Sequence, residues 1–179
     1  MIAFRPADAD DTRFLAEMLL EAVNWHPERH VPMAHVVADP ELAHYVADWP
    51  RPGDGGIVAL ANLRPIGAAW WRFFPGGDPG YGFVAADVPE LSMGVVATWR
   101  GRGVGRALLR AAPAAAAPHC RRVSLSVERA NRAQDLYLPE GFRVVSSGQD
   151  ADTTIYDLEP ASIGAENGRR LRGVRPKSR

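Results

Sequence analysis

Three glycines and three arginines fall within seven residues, Arg100-Gly101-Arg102-Gly103-Val104-Gly105-Arg106, between a β-branched run and an Ala/Leu helix. A strand–loop–helix junction of this kind aims unpaired backbone N–H groups at one point, and the helix dipole adds partial positive charge there. The chemistry it suits is the grip of a phosphorylated cofactor. Glycine matters at 103 and 105 because a Cβ would hold a phosphate away from the main chain. Arg100, Arg102 and Arg106 would add positive charge beside it. Two common phosphate loops fail on spacing. A dinucleotide fingerprint needs a third glycine where Arg106 stands. A Walker loop needs Gly-Lys-Ser/Thr, and the only lysine is Lys177.

A second constellation lies downstream. The strand-like run Val123-Ser-Leu-Ser-Val127 leads into Asn131-Arg-Ala-Gln-Asp-Leu-Tyr137-Leu-Pro-Glu-Gly141-Phe142. Arg100-x-x-Gly103-x-Gly105, five residues after Val95, resembles the acyl-CoA-binding motif Arg/Gln-x-x-Gly-x-Gly/Ala of the GNAT superfamily of N-acetyltransferases. The downstream run resembles the second GNAT signature, Asn-x-x-Ala-x-x-Leu-Tyr-x-x-x-Gly-Phe after a strand. The two occur in the family's order, and the resemblance covers roughly residues 1 to 158.

The resemblance implies an α/β (α+β) domain over residues 1–160. Its sheet would be mixed and mostly antiparallel, of six or seven strands, with helices on both faces and a splayed parallel pair at strands 4 and 5. It implies acetyl transfer from acetyl-CoA to a primary amine by direct attack in a ternary complex, with no metal and no covalent enzyme intermediate. Gly101 and the N–H groups of Arg102, Gly103, Val104, Gly105 and Arg106 would wrap the pyrophosphate. Val95 and Val96 would end a strand whose freed main chain pairs with pantetheine amides and polarises the thioester carbonyl. Tyr137 would protonate the departing thiolate. Asn131 would cap its helix and contact the cofactor. Glu90 is the first candidate for the base that deprotonates the amine, Glu128 the second, and water the third. Trp25 and His26 would cover the acceptor, with Trp70, Trp71, Tyr81 and Phe83 as the opposite wall.

A small-molecule amine is the favoured acceptor. The alternatives are a protein N-terminus or lysine, and a non-catalytic acyl-CoA sensor. No nucleic-acid or membrane partner is expected, and dimerisation is common in the family. His26-Pro-Glu-Arg-His30 is not H-E-x-x-H, so the histidines read as surface or packing residues.

The elements that must position these groups are legible from pattern. Residues 2–5 read as a strand closed by Pro6. A helix follows, capped by Asp8, Asp10 or Asp11, with Phe14, Leu15, Met18, Leu19, Ala22 and Val23 on its apolar face. Asp39-Pro40-Glu41 opens a helix predicted to run to about Trp49. Strands are predicted at 57–60, 66–74, 90–96, 123–127, 142–146 and 153–158, and helices at about 103–117 and 131–138. Pro113 is expected to kink or shorten the first of these two helices.

The composition, 46% hydrophobic and 23% charged over 179 residues, describes one globular domain. The single cysteine, Cys120, excludes an internal disulfide and suits a reducing cytoplasm. No secretory leader is visible. The formal net charge of +0 hides an asymmetry. Arg169, Arg170, Arg172, Arg175, Lys177 and Arg179 crowd the end without an acid, so residues 161–179 read as a basic, disordered tail. Without those six bases the rest is acidic, a weak bias toward cationic amines.

Overall fold

A computed structural model describes residues 2–158; the expected basic tail lies outside the described residues. The strands are β1 (Ile2–Pro6), β2 (Gly55–Ala61), β3 (Arg64–Arg72), β4 (Glu90–Val95), β5 (Arg122–Glu128), β6 (Arg143–Ser147) and β7 (Ala151–Asp157). They form one sheet in the order β1-β2-β3-β4-β5-β7-β6. Every neighbouring pair is antiparallel except β4–β5. The helices are α1 (Thr12–Val23), α2 (Met33–Ala38), α3 (Pro40–Ala43), α4 (Val104–Ala116) and α5 (Gln134–Tyr137).

Two hydrophobic clusters, one on each face, hold these layers. Leu15 and Met18 of α1 and Val36 of α2 pack with Val58, Ala68, Trp70 and Phe74. On the other face Leu108, Leu109 and Ala112 of α4 pack with Ala59, Ala69, Trp71, Val123 and Leu125. The period of two sends Trp70 and Trp71 to opposite faces, and both are buried because both faces are covered.

The helix predicted from Asp39 to Trp49 is shorter than its pattern. Asp39 caps it as expected, its Oδ1 accepting the Glu41 N–H at 2.9 Å. After Ala43 the carbonyls are claimed by side chains from β3. Arg72 Nη1 donates to His44 O at 2.5 Å and to Ala47 O at 2.8 Å, and Trp70 Nε1 donates to Tyr45 O at 3.1 Å. Tertiary donors thus replace the helical ones. Arg72 also meets Asp54 at 2.5 Å, with both side chains almost wholly buried, so the charges are paired and saturated as burial demands.

The 131–138 helix likewise shrinks to the four residues of α5. It begins as a tight turn, Gln134 N–H to Asn131 O at 3.1 Å, and gives way to a 3-10 turn at Leu138–Glu140 containing Pro139. Pro113 does not break α4, which runs on to Ala116. The short α2, with no cap signal of its own, was not predicted.

Helix α1 crosses β4 closely at Gly94. A Cβ there would stand 2.2 Å from Met18 O and 2.7 Å from its carbonyl carbon, atoms that cannot move without shifting the helix. Gly94→Ala is therefore expected to destabilise the domain by about 2–3 kcal/mol, lowering Tm by roughly 5–10 °C in a thermal melt.

Candidate active site

Strands β4 and β5 share one register pair, Glu90 with Ser124, supported by Ser124 N–H to Pro89 O at 3.0 Å. Beyond it they diverge. Val96 donates its N–H to Ile66 O on the β3 side at 3.0 Å. By antiparallel alternation the main-chain groups of Val95 and Met93 point to the opposite edge, into the gap. The Val96 N–H, bonded to Ile66 O, is therefore not free, contrary to expectation; the N–H groups on the gap side belong to Val95 and Met93.

The gap is the centre of a cleft of about 1360 Å³. At one end stands the glycine loop. Gly101 and Gly103 take left-handed φ values of 70° and 80°, which only glycine adopts readily. A Cβ at either would meet nothing of the chain within 4 Å, so their glycines answer to backbone conformation and leave open space. The first intrahelical bond of α4 runs from Ala107 N–H to Gly103 O at 3.0 Å. The N–H groups of Val104, Gly105 and Arg106 consequently have no helical acceptor. They converge on that open space, a fit for a diphosphate.

The three arginines are placed differently from the simple expectation. Arg100 Nη2 donates to Glu21 Oε2 at 2.5 Å, and its Nε donates to Val95 O at 3.3 Å. It ties α1 to the end of β4. Arg106 pairs with Glu140 at 3.3 Å. Arg102 lies over the Trp99 ring at 5.2 Å and outside the cleft lining. The anion-binding potential of the loop rests mainly on main-chain N–H groups. The Val104 side chain is core, 1% exposed, so only its amide faces this site.

Across the gap, α5 brings Tyr137 into the lining. Its ring packs on Phe142 with centroids 5.9 Å apart. Its hydroxyl has no hydrogen-bond partner among the described residues, and burial pushes the phenol up to about 12. Asn131 lies on the same wall, with Oδ1 accepting the Ala133 N–H at 2.9 Å. It stands two residues before Ala133, one fewer than the signature's spacing, which fits a tight turn better than a full helical cap.

At the other end Glu90 is 4% exposed. Burial raises its carboxyl to about 7, although the Tyr45 hydroxyl, donating to Oε1 at 2.8 Å, works in the opposite direction. Glu128 differs. It forms a bidentate pair with Arg29 at 2.6 and 2.9 Å, and that hydrogen bonding holds its carboxyl below the usual range. Arg29 lies over Trp25 at 5.4 Å, so the loop after α1 is fastened to the tip of β5. Trp25 and Tyr81 line the cleft.

Four expected acceptor residues do not: Trp70 and Phe83 belong to the α1-side cluster, and His26 and Trp71 lie elsewhere. His26 is exposed, its Nδ1 accepting the Glu28 N–H at 3.3 Å. Trp71 is buried in the α4-side core, its ring stacked with His119, because β3 sends it to the face away from Glu90. Tyr45 and Arg29 are the residues that sequence reasoning missed. Tyr45 reads as an ordinary apolar-face position of a helix, and Arg29 carries no motif.

A family model of the acetyltransferase (GNAT) domain matches residues 41–144. The chain belongs to the GNAT family. This GNAT protein is an acyl-CoA-dependent acetyltransferase, and members of the family act on amine acceptors. Among solved structures it is similar to yncA from Salmonella typhimurium, held with its cofactor acetyl-CoA. The two are 25% identical with a TM-score of 0.61, over 89% of this chain and 95% of that one. The ribosomal-protein-alanine N-acetyltransferase of Brucella melitensis is 24% identical with a TM-score of 0.63, over 87% and 99%. The PaiA N-acetyltransferase of Thermoplasma acidophilum, in complex with coenzyme A, is 16% identical with a TM-score of 0.62, over 88% and 99%. These last two likenesses show the fold alone. Among curated proteins nothing matches the chain. Among the described residues of this GNAT domain, no three His, Cys, Asp or Glu group as a metal site. No described helix is long and apolar enough to cross a membrane.

Proposed function

We propose that this GNAT enzyme acetylates the primary amine of a small molecule by direct attack on the thioester of acetyl-CoA within a ternary complex. The observation that carries this reading is one continuous cleft joining an anion-binding loop, a free strand edge, a phenol and a buried carboxylate. The α4 amides and Gly103 hold the pyrophosphate. The Val95 edge pairs with the pantetheine arm and receives the negative charge that develops on the thioester oxygen. Tyr137 gives the thiolate a proton. Glu90 takes one from the ammonium, and its carboxyl near 7 suits exchange at neutral pH. The Glu128 carboxylate, committed to Arg29, is the weaker candidate. Acid and base stand at different points of the cleft, so proton removal and proton supply are separate tasks.

A small acceptor is favoured by the Arg29–Glu128 pair, which bridges the cleft between the loop after α1 and the β5 tip. A folded protein substrate would need that bridge open. A protein N-terminus is the second reading, since an extended chain end needs less room at that bridge than a folded surface does.

Thiol release from acetyl-CoA, followed over a panel of small amines and N-terminal peptides, tests both. Turnover confined to peptides would overturn the small-molecule reading. Tight CoA binding with no turnover of any amine would leave a sensor. In the same assay Gly103→Ala should raise the KM for acetyl-CoA about tenfold, since a Cβ enters the space kept open for phosphate. The left-handed backbone costs the folded state only about 1 kcal/mol.

A further inference from the structure

The Glu90 carboxylate is held unevenly. Oε1 accepts the Tyr45 hydroxyl proton at 2.8 Å, whereas Oε2 is buried with no hydrogen-bond partner among the described residues. The Tyr45 oxygen also accepts the Tyr81 N–H at 2.7 Å. One hydroxyl therefore joins the segment after α3, the loop over the site and the carboxylate. That loop, Gly80-Tyr81-Gly82, lies directly on Glu90. A Cβ at Gly80 would stand 2.2 Å from Oε2, and one at Gly82 3.0 Å from Oε1.

Tyr45 is itself fixed. Its ring meets Phe74 edge-on at 5.0 Å and stacks on Tyr81 at 6.2 Å, and its carbonyl accepts Trp70 Nε1. Burial and the neighbouring carboxylate push its phenol far above the usual range, so it stays a donor.

We propose that Tyr45 is a positioning residue for proton removal: its hydroxyl anchors Glu90 Oε1 and leaves Oε2 as the oxygen that takes, through a water, the proton of the acceptor ammonium. This rests on Glu90 being the base, as proposed above. In the step an N–H bond of the ammonium breaks as its proton passes to a water, that water gives a proton of its own to the buried Oε2, and the nitrogen lone pair so freed attacks the thioester carbon. A carboxylate without this anchor keeps only the weaker influence of the Gly82 main chain and could rotate to offer either oxygen. It would also lose a donor that favours its ionised form.

The other polar and charged groups nearby are already engaged or uncharged. Arg72, opposite Glu90 on β3, is neutralised by Asp54. Ser124, opposite on β5, carries no charge. His44, whose ring packs on Tyr45, pairs with Asp78 at 3.0 Å. The Tyr81 hydroxyl donates to Glu41 at 3.1 Å. Helix α1 lines the cleft with Leu19, Glu21, Ala22 and Val23, and Glu21 is paired with Arg100. Removing the Tyr45 hydroxyl thus deletes one hydrogen bond to the carboxylate without unpairing a charge.

The test is the pH profile of kcat/KM for the best amine, from pH 5.5 to 9.5, in wild type, Tyr45→Phe and Glu90→Gln. In Tyr45→Phe the limb near pH 7 is expected to move up by about one unit. Its rate then falls about tenfold at pH 6.5 and lies within about threefold of wild type at pH 9.5, with the KM for acetyl-CoA unchanged. A loss equal at every pH, or a limb that stays in place, overturns the proposal. Should Glu90→Gln keep the limb, Glu90 is not the base and both readings fall. If it erases the limb while Tyr45→Phe leaves it unmoved, only the role of Tyr45 falls. Gly80→Ala covers the case of an unstable Tyr45→Phe. Its methyl would stand 2.2 Å from Oε2 and 2.8 Å from the Tyr45 oxygen and displaces the anchored pair, so kcat/KM should drop about tenfold even at pH 9, and wild-type activity would overturn the proposal.

Discussion

Tyr137→Phe is expected to lower kcat about 10²-fold while leaving the affinity for acetyl-CoA within a factor of two or so. The phenol lies in the cleft, makes no hydrogen bond within the described chain, and is raised to about 12 by burial. It is therefore protonated throughout the working range and free to donate. General acids commonly supply about 10²–10⁴-fold. The lower end applies here because a thiolate, whose parent thiol titrates near 8.5, already leaves readily. Ring packing on Phe142 survives the substitution, so a melt should scarcely move. Single-turnover kinetics set beside calorimetric CoA titration would check both halves. A variant whose kcat equals wild type would remove Tyr137 from the chemistry.

Glu90→Gln is expected to cost about 10²–10³-fold in kcat/KM at pH 7.5 and to erase the rise of activity through about pH 7. The same group makes an opposite prediction for stability. Its folded-state carboxyl lies near 7 against 4.5 in the unfolded chain, so between those values the native state binds more protons. Stability must then fall as pH rises from 4.5 to 7, by on the order of 3 kcal/mol in total, and level off above. Gln removes the buried charge and should flatten that slope, making the variant more stable than wild type at pH 8 and far less active. Urea melts at pH 5 and pH 8 read the effect. Parallel slopes in the two proteins would show that Glu90 is not the group responsible.

How far the sequence foretold the site depends on the range of the interactions involved. The glycine loop and the start of α4 were legible because left-handed glycines and a helix N-terminus are local features. So was the antiparallel sheet with its one parallel junction, through two signatures bracketing it. What needed the register of the whole sheet was not. Trp70 and Trp71 are adjacent in a strand and face opposite ways, and core took both, Trp70 on the α1 side and Trp71 on the α4 side. The helix expected to Trp49 was curtailed by Arg72 and Trp70, donors more than twenty residues away in the chain. Tyr45 gained its place through the same rearrangement. Its partners Glu90 and Tyr81 are too distant in sequence for any pattern of spacing to reveal. Glu90 ranked ahead of Glu128 on its place at the start of β4 alone; Arg29, an arginine without a motif, engages Glu128 and widens the difference.

The single bridge between Glu90 and Ser124 has a mechanical meaning. Below it the domain is effectively two smaller sheets sharing a seam, β1 to β4 on one side and β5 to β7 on the other, and on the proposed reading the pantetheine arm would be an eighth strand between them. Cohesion across the seam is thereby lent partly by whatever occupies it. A protein built this way couples its own integrity to the supply of its acyl donor, tightening when the donor is abundant and loosening when it is scarce.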